Sequence, residues 1–375
     1  MGGSTSVATT LRLAARGAIP RCSQRAAAAL RDCADIRALA ELAFEHKAAP
    51  WLASVVASNP EFAADPRFEP IRQAGGTQML QSLRLFAELT QLLKLFDRDG
   101  IQAVVLKGPV VAETYYPDPG LRPYGDLDLL IHEADLIAVS EMLVGRGYHE
   151  KDGNDHEEGH RLHSCHGIFQ RIFIHEESGR VVELHCDHLQ IGLEPVSMDE
   201  IWESSTPVLL GGTSARALEE HDLFVQLCVH LQRHGFSRLI WFKDIDLIVR
   251  HGTLDWSTVE AKAAQQGCLD SVAYTLWLLE RVLGTPLPAA AQLLVWRQPW
   301  LARRLDRMLW PPKSVVALAP QRQWRLRRLV QFAPETGVLR GGLPSLLTTG
   351  RRTDKLRVLG AAVRRSGAVA HAGRG

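Results

Sequence analysis

The sequence predicts an α+β protein whose strands are gathered in one stretch between helical segments. Three observations carry that expectation. Apolar residues recur every three or four positions over 77–99, four short β-branched or alternating runs fall between residues 101 and 186, and helical spacing returns beyond residue 215. Of the 375 residues, 46% are hydrophobic and 23% charged, values that suit a chain of two or three domains and exclude general disorder.

Taken in order, residues 1–26 contain arginines but no acid and read as a disordered start. A helical N-terminal unit follows over 27–75, its pattern broken by Pro60, Pro66 and Pro70. Leu80, Leu83, Phe86, Leu89, Leu93 and Phe96 then form one stripe of a helix that Gly100 stops. The apolar run 101–106 is of strand length, and Lys107-Gly108-Pro109 turns it into a short helix with proline at its first position. Residues 126–131 alternate polar and apolar before turning wholly apolar, giving a strand with two acids on one face. A helix over about 134–145, a polar His-rich loop that includes 156–166, and strands over 168–174 and 181–186 complete a core at 76–190. Residues 191–214 read as a connector, 215–335 as an all-helical C-terminal domain with its first helix over 217–232, and 336–375 as a basic flexible tail.

The 43 Lys and Arg against 42 Asp and Glu exclude a globally basic nucleic-acid binder. That balance divides unevenly along the chain. Residues 301–375 hold 16 Lys/Arg against 3 acids, net +13, which leaves the first 300 residues at net −12. The tail is therefore expected to meet either the acidic body or an anionic partner. Six dispersed cysteines with no C-x-x-C pair point to reduced thiols and a cytoplasmic protein, and no run is long and apolar enough for a transmembrane segment.

Chemistry concentrates on the D-x-D strand. Period-two alternation puts Asp126 and Asp128 on the same face, where the two carboxylates repel unless a cation lies between them. Hard oxygen ligands suit magnesium (Mg2+) or, in its place, manganese (Mn2+). Glu183, on a later strand, is a third acid, and three strand-borne carboxylates fit a site for two ions. Lys107 and Gly108, at a strand-to-helix turn, form a candidate phosphate cradle, with Arg122 as a second clamp. His185 shares the face of Glu183 and is placed to orient a ligand or meet substrate. Asp244 and Asp246 repeat the D-x-D pattern on a helix, where they stand ~200° apart and cannot share a metal. Seven histidines and two cysteines crowd residues 156–188, but their spacings match no zinc pattern. Trp241 and Phe242 read as core.

VVLKGPVVAETYYPDPGLRPYGDLDLLI at 104–131, VVELH at 181–185 and HLQRHGFSRLIWFKDIDLIV at 230–249 resemble the uncharacterised bacterial nucleotidyltransferases of the NTP-transferase family 5 type, within the polymerase-β-like superfamily. The resemblance covers roughly residues 75–285. It implies a small mixed sheet flanked by helices, with metals on Asp126, Asp128 and Glu183, and transfer of a nucleoside monophosphate from an NTP to an acceptor with release of pyrophosphate. His230, His234, Arg238 and Asp244 also resemble family positions, where such residues fix the contact between domains. Gly108 is followed by Pro109 and not by the serine usual in the superfamily. The acceptor stays open among small molecule, peptide, protein and glycan. Two rival readings are an inactive core that binds nucleotide or a partner, and a D-x-D glycosyltransferase, which leaves Glu183 and the Lys107-Gly108 turn without roles.

Overall fold

The computed structural model describes residues 6–151, 170–189, 198–234 and 236–296. The His-rich loop 156–166 and the basic tail 336–375 lie outside the described residues.

Helices come first, and earlier than the composition predicts. The expectation of a disordered 1–26 is corrected by α1 (Val7–Ala14), capped by the Ser6 hydroxyl, which accepts from the Thr9 N–H at 3.3 Å. Leu11 and Ala14 are each 1% exposed, and Trp51 Nε1 donates to the Ala14 carbonyl at 3.1 Å. Their burial outweighs the weak local signal. Three further helices follow: α2 (Gln24–Arg31), α3 (Ile36–Glu45) and α4 (Ala49–Ala57). Pro60, Pro66 and Pro70 start elements instead of ending them: α5 (Pro60–Ala63), a 3-10 turn (Pro66–Phe68) and the 30-residue α6 (Glu69–Arg98). In a first turn the missing proline N–H has no intrahelical partner to lose. α6 thus begins at Glu69, about three turns before Leu80, where the apolar stripe that announces it starts.

The sheet comprises β1 (Ala103–Leu106), β2 (Asp126–Ile131), β3 (Tyr148–Glu150), β4 (Gln170–His175), β5 (Val181–His185), β6 (Thr206–Leu210) and β7 (Thr213–Ala217), in the order β3-β4-β5-β2-β1-β7-β6. It is mixed: β2 runs parallel to β5 and β1 parallel to β7, while β1 and β2 are antiparallel. The β6–β7 hairpin corrects the reading of 191–214 as a plain connector and of 217–232 as helix. Gly211 and Gly212, both at positive φ, make its turn, and Ala217 ends β7.

Two short helices flank the sheet, α7 (Gly108–Tyr115) and α8 (Leu136–Gly145). After α9 (Met198–Ser204) and the hairpin come α10 (Glu220–Arg233), α11 (Leu239–His251), α12 (Trp256–Gln265), α13 (Leu269–Leu283) and α14 (Ala289–Trp296). One apolar cluster runs from Leu11 through β1 and β2 to Leu294, so both helical parts share a core with the sheet. No helix among the described residues is long and apolar enough to cross a membrane.

Candidate functional site

The parallel pairing of β2 with β5 places Asp128 opposite Glu183, Asp126 opposite Val181 and Leu130 opposite His185. Cross-strand partners share a face, so two acids and an imidazole meet there. One ligand atom each from Asp128, Glu183 and His185 lie within 4.8 Å of one another. His185 Nε2 is 2.9 Å from Asp128 Oδ1 and 3.8 Å from Glu183 Oε2. An ionised carboxylate only accepts, so Nε2 carries the proton and His185 holds Asp128 in place. The oxygens of Asp128 and Glu183 then remain as the hard donors of the cluster, a set that fits magnesium or manganese. Asp126, one pleat along β2, stands outside that trio and reaches solvent at the mouth of the cleft.

Lys107 sits between β1 and α7 at φ 51, a left-handed conformation that a lysine adopts only under constraint. Its Nζ lies 2.8 Å from Asp128 Oδ1 and 3.4 Å from His230 Nδ1. Burial works to raise the Asp128 carboxyl, but the Lys107 charge and the His185 hydrogen bond outweigh it and hold Asp128 ionised well below the usual range. Asp126 goes the other way, raised first by the protein that surrounds it on most sides and then by the charge of Asp128. Its open edge faces the cleft, which tempers that rise.

Gly108 is closely packed: a Cβ there meets the Tyr124 ring carbon at 3.1 Å and Arg122 Nη1 at 3.3 Å, so a larger residue obliges these side chains to shift. Arg122 is engaged behind that turn. Its Nη2 donates to Asp244 Oδ2 at 2.6 Å and its Nε to Oδ1 at 3.1 Å, and the Tyr116 hydroxyl adds a third bond to Asp244 at 2.8 Å. Asp246 faces away, held by Lys243 at 2.9 Å, Arg250 at 2.6 Å and Thr285 at 2.5 Å. The two acids of the helical D-x-D thus serve separate networks, as their angular separation dictates.

Asp126, Asp128, Glu183, Lys107, Gly108 and Arg122 line a cleft of about 240 Å3. Its remaining walls come from Lys47, after α3, and from His230, His234, Arg238 and Trp241 of the C-terminal helices. Trp241 is half-buried and not a core residue, with His230 and His234 each 4.9 Å from its ring centre and the Arg238 guanidinium at 5.1 Å. Lys47 is the participant that sequence reasoning missed. It lies far from the D-x-D strand in the chain, and its φ of 55 leaves no mark on composition or spacing.

A mixed sheet that carries strand acids into a cleft beside a Gly-turn helix start defines a nucleotidyltransferase-like protein. The model of a family described as "Uncharacterised nucleotidyltransferase" matches residues 32–284, and the chain belongs to that family. The match takes in α3 to α5, ahead of residue 75 where the sequence resemblance begins. No curated protein matches the chain. Among solved structures it is similar to an antigenic nucleotidyltransferase-like protein from Paracoccidioides brasiliensis. The two are 14% identical, with 56% of this chain and 97% of that chain covered and a TM-score of 0.36.

Proposed function

We propose that the protein moves a nucleoside monophosphate from an NTP to an acceptor hydroxyl or similar nucleophile, releasing pyrophosphate, with magnesium or manganese at its carboxylates. The register that sets Asp128 against Glu183, with Asp126 one pleat away in the same cleft, carries this reading. Asp126, Asp128 and Glu183 would hold the ions, which when bound supply Lewis-acid stabilisation of the phosphate oxygens and favour a deprotonated nucleophile. Asp128 is kept ionised by Lys107 and fixed in orientation by His185, so it needs no rearrangement to serve as a ligand. Glu183, partly open to the cleft, is the group placed to take the acceptor's proton. Lys107 and the start of α7 at Gly108 steady the phosphate that reacts, and Arg122 stiffens the loop before β2 through Asp244. Cys22, Cys33, Cys186 and Cys228 are free thiols, which supports a cytoplasmic setting.

Incubation of the full chain with labelled NTPs and magnesium, followed by pyrophosphate measurement, tests the proposal. Asp126→Asn and Asp128→Asn are each expected to lower pyrophosphate release by about 100-fold or more while the far-ultraviolet circular dichroism stays unchanged. Full turnover in both variants sinks it. A nucleotide-dependent rise in melting temperature without pyrophosphate identifies a binding protein instead, and turnover of UDP-sugars alone identifies a glycosyltransferase.

A further inference from the structure

Four cationic side chains line the cleft, and carboxylates of the protein already hold two of them: Lys107 by Asp128 at 2.8 Å and Arg122 by Asp244 at 2.6 Å. Lys47 and Arg238 differ. Neither side chain forms an ion pair or hydrogen bond among the described residues, although Arg238 rests on the Trp241 ring at 5.1 Å. Asp126 attracts both without closing to an ion pair.

The fold holds these two charges near each other against their repulsion. His46, fully buried, accepts the Leu239 N–H on Nδ1 at 3.1 Å and the Ile240 N–H on its carbonyl at 3.3 Å, so the turn after α3 caps α11. Lys47 follows His46 and Arg238 precedes Leu239, which makes them neighbours by construction. Lys47 adopts φ 55 at the helix end, where glycine is the usual occupant and an L side chain costs about 1 kcal/mol. Burial, and then the charge of Arg238, hold its amine below the ordinary lysine range. Two cations on which no carboxylate closes among the described residues, one of them on a strained backbone in a cleft, make a site for an anion.

Its place in the cleft specifies which anion. A Cβ on Gly125 would lie 3.6 Å from Lys47 Nζ, so the amine stands beside the residue that leads into Asp126. Glu183 and Asp128, Asp126, and then Lys47 therefore follow one another toward the start of β2. A phosphate reacting at the carboxylate end directs the rest of its chain toward the two cations. We propose that Lys47 and Arg238 clamp the terminal phosphates of the substrate's polyphosphate, so that the N-terminal helical unit completes the nucleotide site. This rests on the nucleotide reading above, yet the clamp can be probed without a nucleoside.

The experiment is calorimetric titration of the full chain with inorganic tripolyphosphate and, separately, with each of the four NTPs. Lys47→Met and Arg238→Met are each expected to weaken both kinds of ligand by roughly tenfold or more, the worth of a charge-assisted hydrogen bond, while Lys47→Arg and Arg238→Lys keep most of the affinity. Wild-type affinity in both Met variants overturns the clamp. So does intact NTP affinity in both Met variants with a loss only for tripolyphosphate, which assigns the cations to an anion other than the nucleotide. Wild-type protein that binds neither ligand also overturns it. Wild-type binding of tripolyphosphate but of no NTP, with loss in the Met variants, upholds the clamp and removes the nucleotide reading.

Discussion

Removing the guanidinium of Arg122 leaves the Asp244 carboxylate fully buried, with the Tyr116 hydroxyl as the partner that remains. A buried charge stripped of its counter-ion costs about 3–5 kcal/mol. Arg122→Met is therefore expected to lower unfolding free energy in urea by about that amount, and Arg122→Met/Asp244→Leu to recover most of it. Additive losses in the double variant would show that the two residues do not act as a pair. The strand acids Asp126, Asp128 and Glu183 were legible at this scale because period-two alternation on a strand is a strong local rule. His185 followed from the same rule, and it does meet Asp128. The partner of Arg122 was not legible, since nothing local links residue 122 to residue 244. Lys47 was hidden for the same reason.

Two adjacent glycines in α6 show how far an element depends on what crosses it. A Cβ on Gly75 meets the Ala53 Cβ at 2.8 Å and the Ala49 carbonyl oxygen at 3.1 Å, so α4 and α6 cross there at close range. A Cβ on Gly76 meets nothing within 4 Å. Gly75→Ala is expected to destabilise by about 1–3 kcal/mol through overpacking, and Gly76→Ala to stabilise by about 0.5–1 kcal/mol through helix propensity. Thermal melting of both variants checks the pair, and a shift of the same sign in each contradicts it. Most elements were legible from periodicity, including α6, β1, β2 and β5. The β6–β7 hairpin had a usable sign in Gly211-Gly212 between two β-prone runs, the dipeptide that suits a tight turn. What no local pattern states is that β7 returns to lie parallel against β1.

For the molecule as a whole, pH acts through buried groups where helical domain and sheet meet. Burial pushes the His188 imidazole down to about 4, against the pull of the Asp222 charge. Above about pH 6.5 folded and unfolded chains both hold it neutral. Below that, the unfolded chain takes the proton first, so stability falls as pH drops from 6.5 toward 4. Between pH 6.5 and 5 the loss is expected to reach about 2 kcal/mol, and His188→Gln to flatten that part of the urea-denaturation profile. An unchanged slope in the variant assigns the loss to other groups.

The charge division along the chain was legible at this scale, but its basic end lies outside the described residues. The capping of α11 by His46 has a consequence in time. The Leu239 N–H and the His46 ring it meets are 193 residues apart in the chain. At roughly 5–20 residues per second, a ribosome takes about 10–40 seconds to make the second after the first. In the last part of that interval, once β5 has been made, the nascent chain carries the acids of β2 and β5 with no wall opposite them. The cleft, and any selectivity it has, comes into being only once residue 239 has been made.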